Sequence, residues 1–166
     1  MTSPSSIRRL FIILGDQLDH DRFITDDFDS NLDCFWMAEA SEESTHVFSN
    51  KHRIVYFISS MRHFRNHVKS LGLPIRYHQL DRSKKPTALA DYLRDDIQKL
   101  KPIEVTVTKP GDCRVETTLS EVCRERGLKL DVRQDSHFLC KEKDFADHAQ
   151  NRKSLRLEFF YREMRR

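Results

Sequence analysis

Asp16 follows five apolar residues, Leu10-Phe11-Ile12-Ile13-Leu14, and a glycine, Gly15, and precedes Gln17 and Leu18. A short apolar run without alternation suits a strand buried on both faces, as in a parallel sheet. A carboxylate just past the carboxyl end of such a strand stands where open α/β sheets bind ligands. Gly15 has no Cβ, so a ligand or a neighbouring backbone can come close there. Gly-Asp is also ordinary turn chemistry, and the pair by itself supports a turn as well as a site. Two further stretches carry comparable residues: Glu39 to Asn50, with Glu39, Glu43 and His46, and Pro110-Gly111-Asp112 after a β-branched run. Other chemistries lack their residues. None of Cys34, Cys113, Cys123 and Cys140 belongs to a C-x-x-C pair, which argues against a zinc or iron–sulfur site built from this chain alone. Free thiols, buried or half-buried, are expected instead. No histidine pair combines helical spacing with the intervening glutamate that a metalloprotease needs, and no glycine-rich phosphate loop follows a strand.

The elements that must position these residues alternate. After the first strand, Asp19 to Asp33 holds six aspartates, whose mutual repulsion predicts an irregular surface loop. Cys34 to Ala38 reads as a second strand. Ile54, Phe57, Ile58, Met61, Phe64, Val68 and Leu71 fall three or four apart and define one face of a helix ended by Gly72. On that helix Met61 and Phe64 point inward, and Arg62 and His63 are expected to face solvent or a further domain. Ile75 to Leu80 supplies a third strand. Thr87 is placed to cap a helix with Leu89, Tyr92, Leu93, Ile97 and Leu100 inward. Ile103 to Thr108 is a fourth strand, Val115, Leu119, Val122 and Cys123 line a third helix, and Leu128 to Arg133 is a fifth strand. Right-handed crossovers between such elements give a Rossmann-like three-layer α/β domain with a five-stranded parallel sheet. The order 3-2-1-4-5 would bring Gly15 to Leu18, Glu39 to His46 and Pro110 to Arg114 to one crevice at the carboxyl ends.

Hydrophobic content of 38% against 33% charged residues describes a globular chain, and 166 residues suffice for one core. No membrane span and no signal-peptide core is apparent, so a cytoplasmic protein is expected. Net charge is +3, but residues 151–166 hold six basic and two acidic residues, which leaves −1 on the other 150. A body of that charge is a poor match for a phosphate backbone. Residues 1–150 are read as the α/β domain and 151–166 as a helix leading into a missing part. Leu157, Phe160, Tyr161 and Met164 share one face of that helix, while Leu155 and Phe159 fall off it. Apolar side chains on more than one side imply cover on more than one side. Phe159, Phe160 or Tyr161 is therefore expected to be exposed, or buried against a second copy in a homodimer.

Five motifs in order carry a family resemblance: Ile13-Leu14-Gly15-Asp16-Gln17-Leu18; Glu39-x-x-x-Glu43-Ser44-Thr45-His46-Val47 continuing to Lys51-His52-Arg53; Ser60-Met61-Arg62-His63-Phe64; Pro110-Gly111-Asp112-Cys113-Arg114; and Arg152-Lys153-Ser154-Leu155 through Phe160-Tyr161-Arg162-Glu163-Met164-Arg165-Arg166. The chain resembles the N-terminal part of deoxyribodipyrimidine photolyase-related proteins, the bacterial iron–sulfur cryptochromes and (6-4) photolyases. It departs from their pattern at Cys113, where tryptophan is usual, at His46, where tyrosine is common, and at Asn50, where histidine is common.

The resemblance implies an antenna chromophore, 6,7-dimethyl-8-ribityllumazine, bound by residues among Gly15, Asp16, Gln17, Glu39, Glu43, His46, Pro110 and Gly111. Asp16 and Glu43 fall on antenna-contacting positions, where carboxylates accept from ring N–H and sugar O–H groups. Binding, not catalysis, is expected of them. FAD, a four-iron cluster and DNA contact are implied only for the missing C-terminal part, the chain's own partner domain in a full-length flavoprotein. Light-driven repair of (6-4) photoproducts or blue-light signalling would be the whole protein's role. An α/β nucleotide-binding module of a stress or signalling protein is the alternative reading.

Overall fold

The structure, a computed structural model, describes residues 7–40, 50–81 and 87–165. The chain divides into two compact units, Met1–Gln134 and Asp135–Arg166. The first holds β1 (Arg9–Ile12), β2 (Asp33–Ala38), α1 (Lys51–Ser70), β3 (Ile75–His78), α2 (Leu89–Leu100), β4 (Glu104–Thr108), α3 (Cys113–Glu125) and β5 (Lys129–Arg133). All four strand pairings are parallel, and the order is β3-β2-β1-β4-β5 as expected.

Every residue of β1 and β2 is buried. Alternate side chains feed two cores. Leu10, Ile12, Trp36, Val105 and Val107 pack against Leu89, Leu93 and Ile97 of α2 and Leu119, Val122 and Cys123 of α3. Phe11, Ile13, Phe35 and Met37 pack against Met61, Phe64 and Val68 of α1. One face thus carries two helices and the other carries one, which leaves part of the second face to be covered by something else.

The aspartate-rich stretch covers it, contrary to the loose loop expected from its charge. Phe28 stacks on Phe35 at 4.3 Å between ring centres, and Phe23 lies 5.2 Å from the same ring. Arginines from the sheet hold the acids. Arg133 donates to both oxygens of Asp27 at 2.8 Å, Arg9 donates to the Asp27 carboxylate and carbonyl, and Arg8 chelates Asp33 at 2.8 and 2.5 Å. Hydrogen bonds from Arg133 and Thr25 hold the Asp27 carboxyl far below the usual carboxylate range. Charge density within the stretch is therefore a misleading guide, because the compensating cations arrive from strands as much as 106 residues away.

Helix starts follow local chemistry. Asn50 caps α1 by accepting from the His52 amide at 2.9 Å, and asparagine is among the best N-cap residues. Asp112 caps α3 through the Arg114 amide at 2.8 Å. Ala88, not Thr87, occupies the cap position of α2, and its methyl group accepts nothing. Cys34 and Cys123 are buried and Cys140 half-buried, whereas Cys113 is exposed. No helix among the described residues is long and apolar enough to cross a membrane.

The second unit holds α4 (Glu142–Ala149) and α5 (Leu157–Met164). Phe160 is buried beside Phe145 and His148, each ring 5.1 Å away. His148 Nδ1 lies 2.6 Å from Glu163, which also accepts from Arg152 at 3.0 Å. Phe159 is 42% and Tyr161 56% exposed, so two of the three aromatics flagged by the sequence lie open and only Phe160 turns inward.

Candidate functional site: an acid-edged cavity at the carboxyl ends of the strands

Beyond their last paired residues, β1, β2 and β4 run into a common cavity of about 210 Å³. Strand β1 connects to β2 on one side and borders β4 on the other, so the chain changes direction here and a crevice opens between the loops. The β1 loop supplies Leu14, Gly15 and Asp16, β2 supplies Ala38, Glu39 and Ala40, and the β4 loop supplies Pro110, Gly111 and Asp112. Phe57, Ile58 and Met61 of α1 form an apolar wall, with Leu89 and Val115 from α2 and α3.

The sequence-predicted residues take different parts. Gly15, Asp16, Glu39, Pro110 and Gly111 line the cavity together. Gln17 does not line it: its side-chain amide turns away and donates to the carbonyls of Thr108 and Lys109, both at 3.1 Å, tying the β1 loop to the β4 loop. Glu43 and His46 lie outside the described residues. Cys113, the departure from tryptophan, is exposed on α3 and is not among the described lining residues.

Gly15 is needed for a close neighbour, and that neighbour is a side chain, not a ligand or backbone. A Cβ built there would stand 2.5 Å from Phe57 Cε1 and Cζ and 3.0 Å from Met61 Sδ. Gly15→Ala is expected to push the Phe57 ring into the cavity and destabilise the unit by about 1–3 kcal/mol, an overpacking cost. Thermal melts should show recovery in the Gly15→Ala, Phe57→Leu double variant. Equal losses in the single and double variants would refute the Phe57 contact as the cause.

Glu39 is 3% exposed, and its acceptor positions are engaged by the protein. Oε1 accepts from Arg62 Nε at 2.8 Å and Tyr77 O–H at 2.5 Å, and Oε2 accepts from Arg62 Nη2 and the Leu80 amide, each at 2.8 Å. Burial raises the Glu39 pKa, but the Arg62, Tyr77 and Leu80 bonds outweigh it and leave the carboxyl below its ordinary value. The same burial and bond push the Tyr77 hydroxyl up. Arg62 therefore does not simply face solvent: it is the counter-ion of a buried acid in the cavity wall. Glu39 builds the wall and has little acceptor capacity left for a ligand.

Asp16 differs. It is exposed at the cavity edge and makes no hydrogen bond to a described residue, so its carboxylate is available. Asp112 is occupied by the Arg114 amide and guanidinium. Neither Lys nor Arg lines the cavity among the described residues. The arrangement is an apolar slot with an acceptor rim: it suits a planar ring presenting N–H or O–H donors and repels an anion. Sequence reading assigned Phe57 and Met61 to the core. The same helical stripe continues past the sheet's edge, and there core becomes cavity wall.

A family model described as deoxyribodipyrimidine photo-lyase-related protein matches residues 11–166. A (6-4) photolyase of Agrobacterium fabrum is 34% identical over 158 residues, which cover 95% of this chain and 31% of the relative.

Proposed function

The chain belongs to the deoxyribodipyrimidine photolyase-related family, and from that membership we propose that its first unit binds a light-harvesting antenna chromophore, 6,7-dimethyl-8-ribityllumazine, in the cavity at the carboxyl ends of β1, β2 and β4. The observation that carries the reading is the free carboxylate of Asp16 on the rim of an otherwise apolar slot. A volume of about 210 Å³ lies below the ~300–1,000 Å³ of typical small-molecule sites. The cavity accordingly takes the bicyclic ring, and the ribityl chain extends past the mouth. Phe57 and Met61 face the ring, Asp16 accepts from its edge or from the first hydroxyls, and Glu43 and His46, later in the sequence than β2, supply further polar contacts. The nucleotide-binding alternative fares worse, because its phosphates would meet the open carboxylate of Asp16, and no Lys or Arg lines the cavity among the described residues.

Light-driven repair of (6-4) photoproducts or blue-light signalling, with FAD, a four-iron cluster and DNA, is assigned in this proposal to a longer cytoplasmic protein, since the chain spans 31% of the matched relative. Titrating the 166-residue chain with the lumazine and following its fluorescence tests the antenna reading. A hydrogen bond to a charged group contributes ~1.5–3 kcal/mol, so Asp16→Ala is expected to weaken binding by roughly ten- to a hundredfold. Unchanged affinity in Asp16→Ala would remove Asp16 from the site, and no saturable binding by the unaltered chain would remove the chromophore.

A further inference from the structure

On the sheet face shared by α1 and the aspartate-rich stretch, Thr106 is paired in register with Phe11 of β1 and Asp131 of β5. It is 2% exposed, yet its hydroxyl has no hydrogen-bond partner within the protein. The same holds for Oε1 of Gln17, whose orientation is set by the two carbonyls that its amide nitrogen serves. Both residues line one small cavity of about 60 Å³, bordered by Phe23 and Thr25 of the aspartate-rich stretch. Two residues with orphaned oxygens, from different elements, therefore border one small space.

A buried hydroxyl or amide oxygen without a partner is costly, and buried polar groups in native proteins are nearly always satisfied. Gln17 Oε1 can only accept, and neither the Thr106 hydroxyl nor any other described donor reaches it. A water molecule needs roughly 10–15 Å³ of such space and two to four polar partners. At about 60 Å³ the space has room for a water. We propose that this cavity is an ordered-water site, in which a water donates to Gln17 Oε1 and accepts from Thr106 Oγ1.

The water completes a clamp. Gln17 already ties the β1 loop to the β4 loop through Thr108 and Lys109, and the water adds a link to the interior of β4. Asp16 precedes Gln17, so the clamp holds the carboxylate at the rim of the larger cavity. That consequence rests on the antenna reading, but the water itself does not, and it is tested without ligand.

Thr106→Val and Thr106→Ser, made in the 166-residue chain, separate a hydrated hydroxyl from an orphaned one. If water bridges, valine removes a bond and Tm falls by about 2–4 °C, while serine, which loses a buried methyl but keeps the hydroxyl, retains the water cross-peak to the Gln17 side-chain amide. NMR on the unaltered chain is expected to show cross-relaxation from a long-lived water to the Thr106 methyl and the Gln17 side-chain amide. A Thr106→Val variant as stable as wild type or more stable would overturn the proposal, because deleting a truly unpaired buried hydroxyl relieves a desolvation penalty. Absence of the water cross-peaks would overturn it independently of whether any variant folds.

Discussion

Arg62→Met is expected to destabilise the first unit by about 3–5 kcal/mol, more than Glu39→Gln does, although Arg62 is the more exposed partner. Arginine loss leaves a carboxylate that is 3% exposed with only Tyr77 and the Leu80 amide for company. That acid must either stay charged in an apolar wall or take up a proton. Loss of the acid's charge instead leaves a guanidinium whose side chain is 38% exposed and free to swing into water. Urea denaturation followed by far-UV circular dichroism measures both. Pairing Arg62→Met with Glu39→Leu should recover much of the loss, since a buried ion pair replaced by apolar groups of similar volume is often neutral. A single Arg62→Met variant within about 1 kcal/mol of wild type would mean that the Glu39 carboxylate reaches water and is not a sealed part of the cavity wall.

Asp96→Ala is expected to cost a similar ~3–5 kcal/mol, and the part of that advantage due to the carboxylate's charge should disappear in acid. Asp96 is fully buried on α2, under the sheet edge formed by β3. It accepts from Trp36 Nε1 at 2.8 Å, from Arg76 Nε at 3.2 Å and from His78 Nε2. Burial raises its pKa, but the bonds from His78, Trp36 and Arg76 prevail and take it from 3.8 to about 2. A folded-state value below the unfolded one gives stability that is complete above pH 3.8 and is lost as pH falls through 2. The shift corresponds to about 2 kcal/mol. Denaturation curves of wild type and Asp96→Asn should therefore converge between pH 4 and pH 2 and run parallel above pH 5. A constant gap across that range would show that Asp96 acts by packing, not by charge.

Much of the fold was legible because it rests on local pattern. Leu10 to Leu14 and Cys34 to Ala38 are apolar without alternation, and only strands covered on both faces can hide such runs. The three-and-four spacing from Ile54 to Val68 identified α1 and its inward face. Once the strands were placed in the order 3-2-1-4-5, geometry alone brought the loops after β1, β2 and β4 together. The crevice, and the positions of Gly15, Asp16, Glu39, Pro110 and Gly111 around it, followed from that order.

What only the tertiary structure decided is how the polar groups pair. Glu39 meets Arg62 across 23 residues, Asp27 meets Arg133 across 106, and Asp96 meets Trp36 across 60. No periodicity encodes such pairs, because they depend on strand register and on where a helix crosses the sheet. For the same reason the sequence made three acids near strand ends look alike. Folding turns Glu39 into a buried strut and Asp112 into a helix cap, and it leaves Asp16 with an open carboxylate. It also sets Phe57 against Gly15, where the missing Cβ makes room for a ring from α1. Residue type and spacing brought the acids to one crevice, and the partners that reach each carboxylate first determine which of them can still receive a ligand.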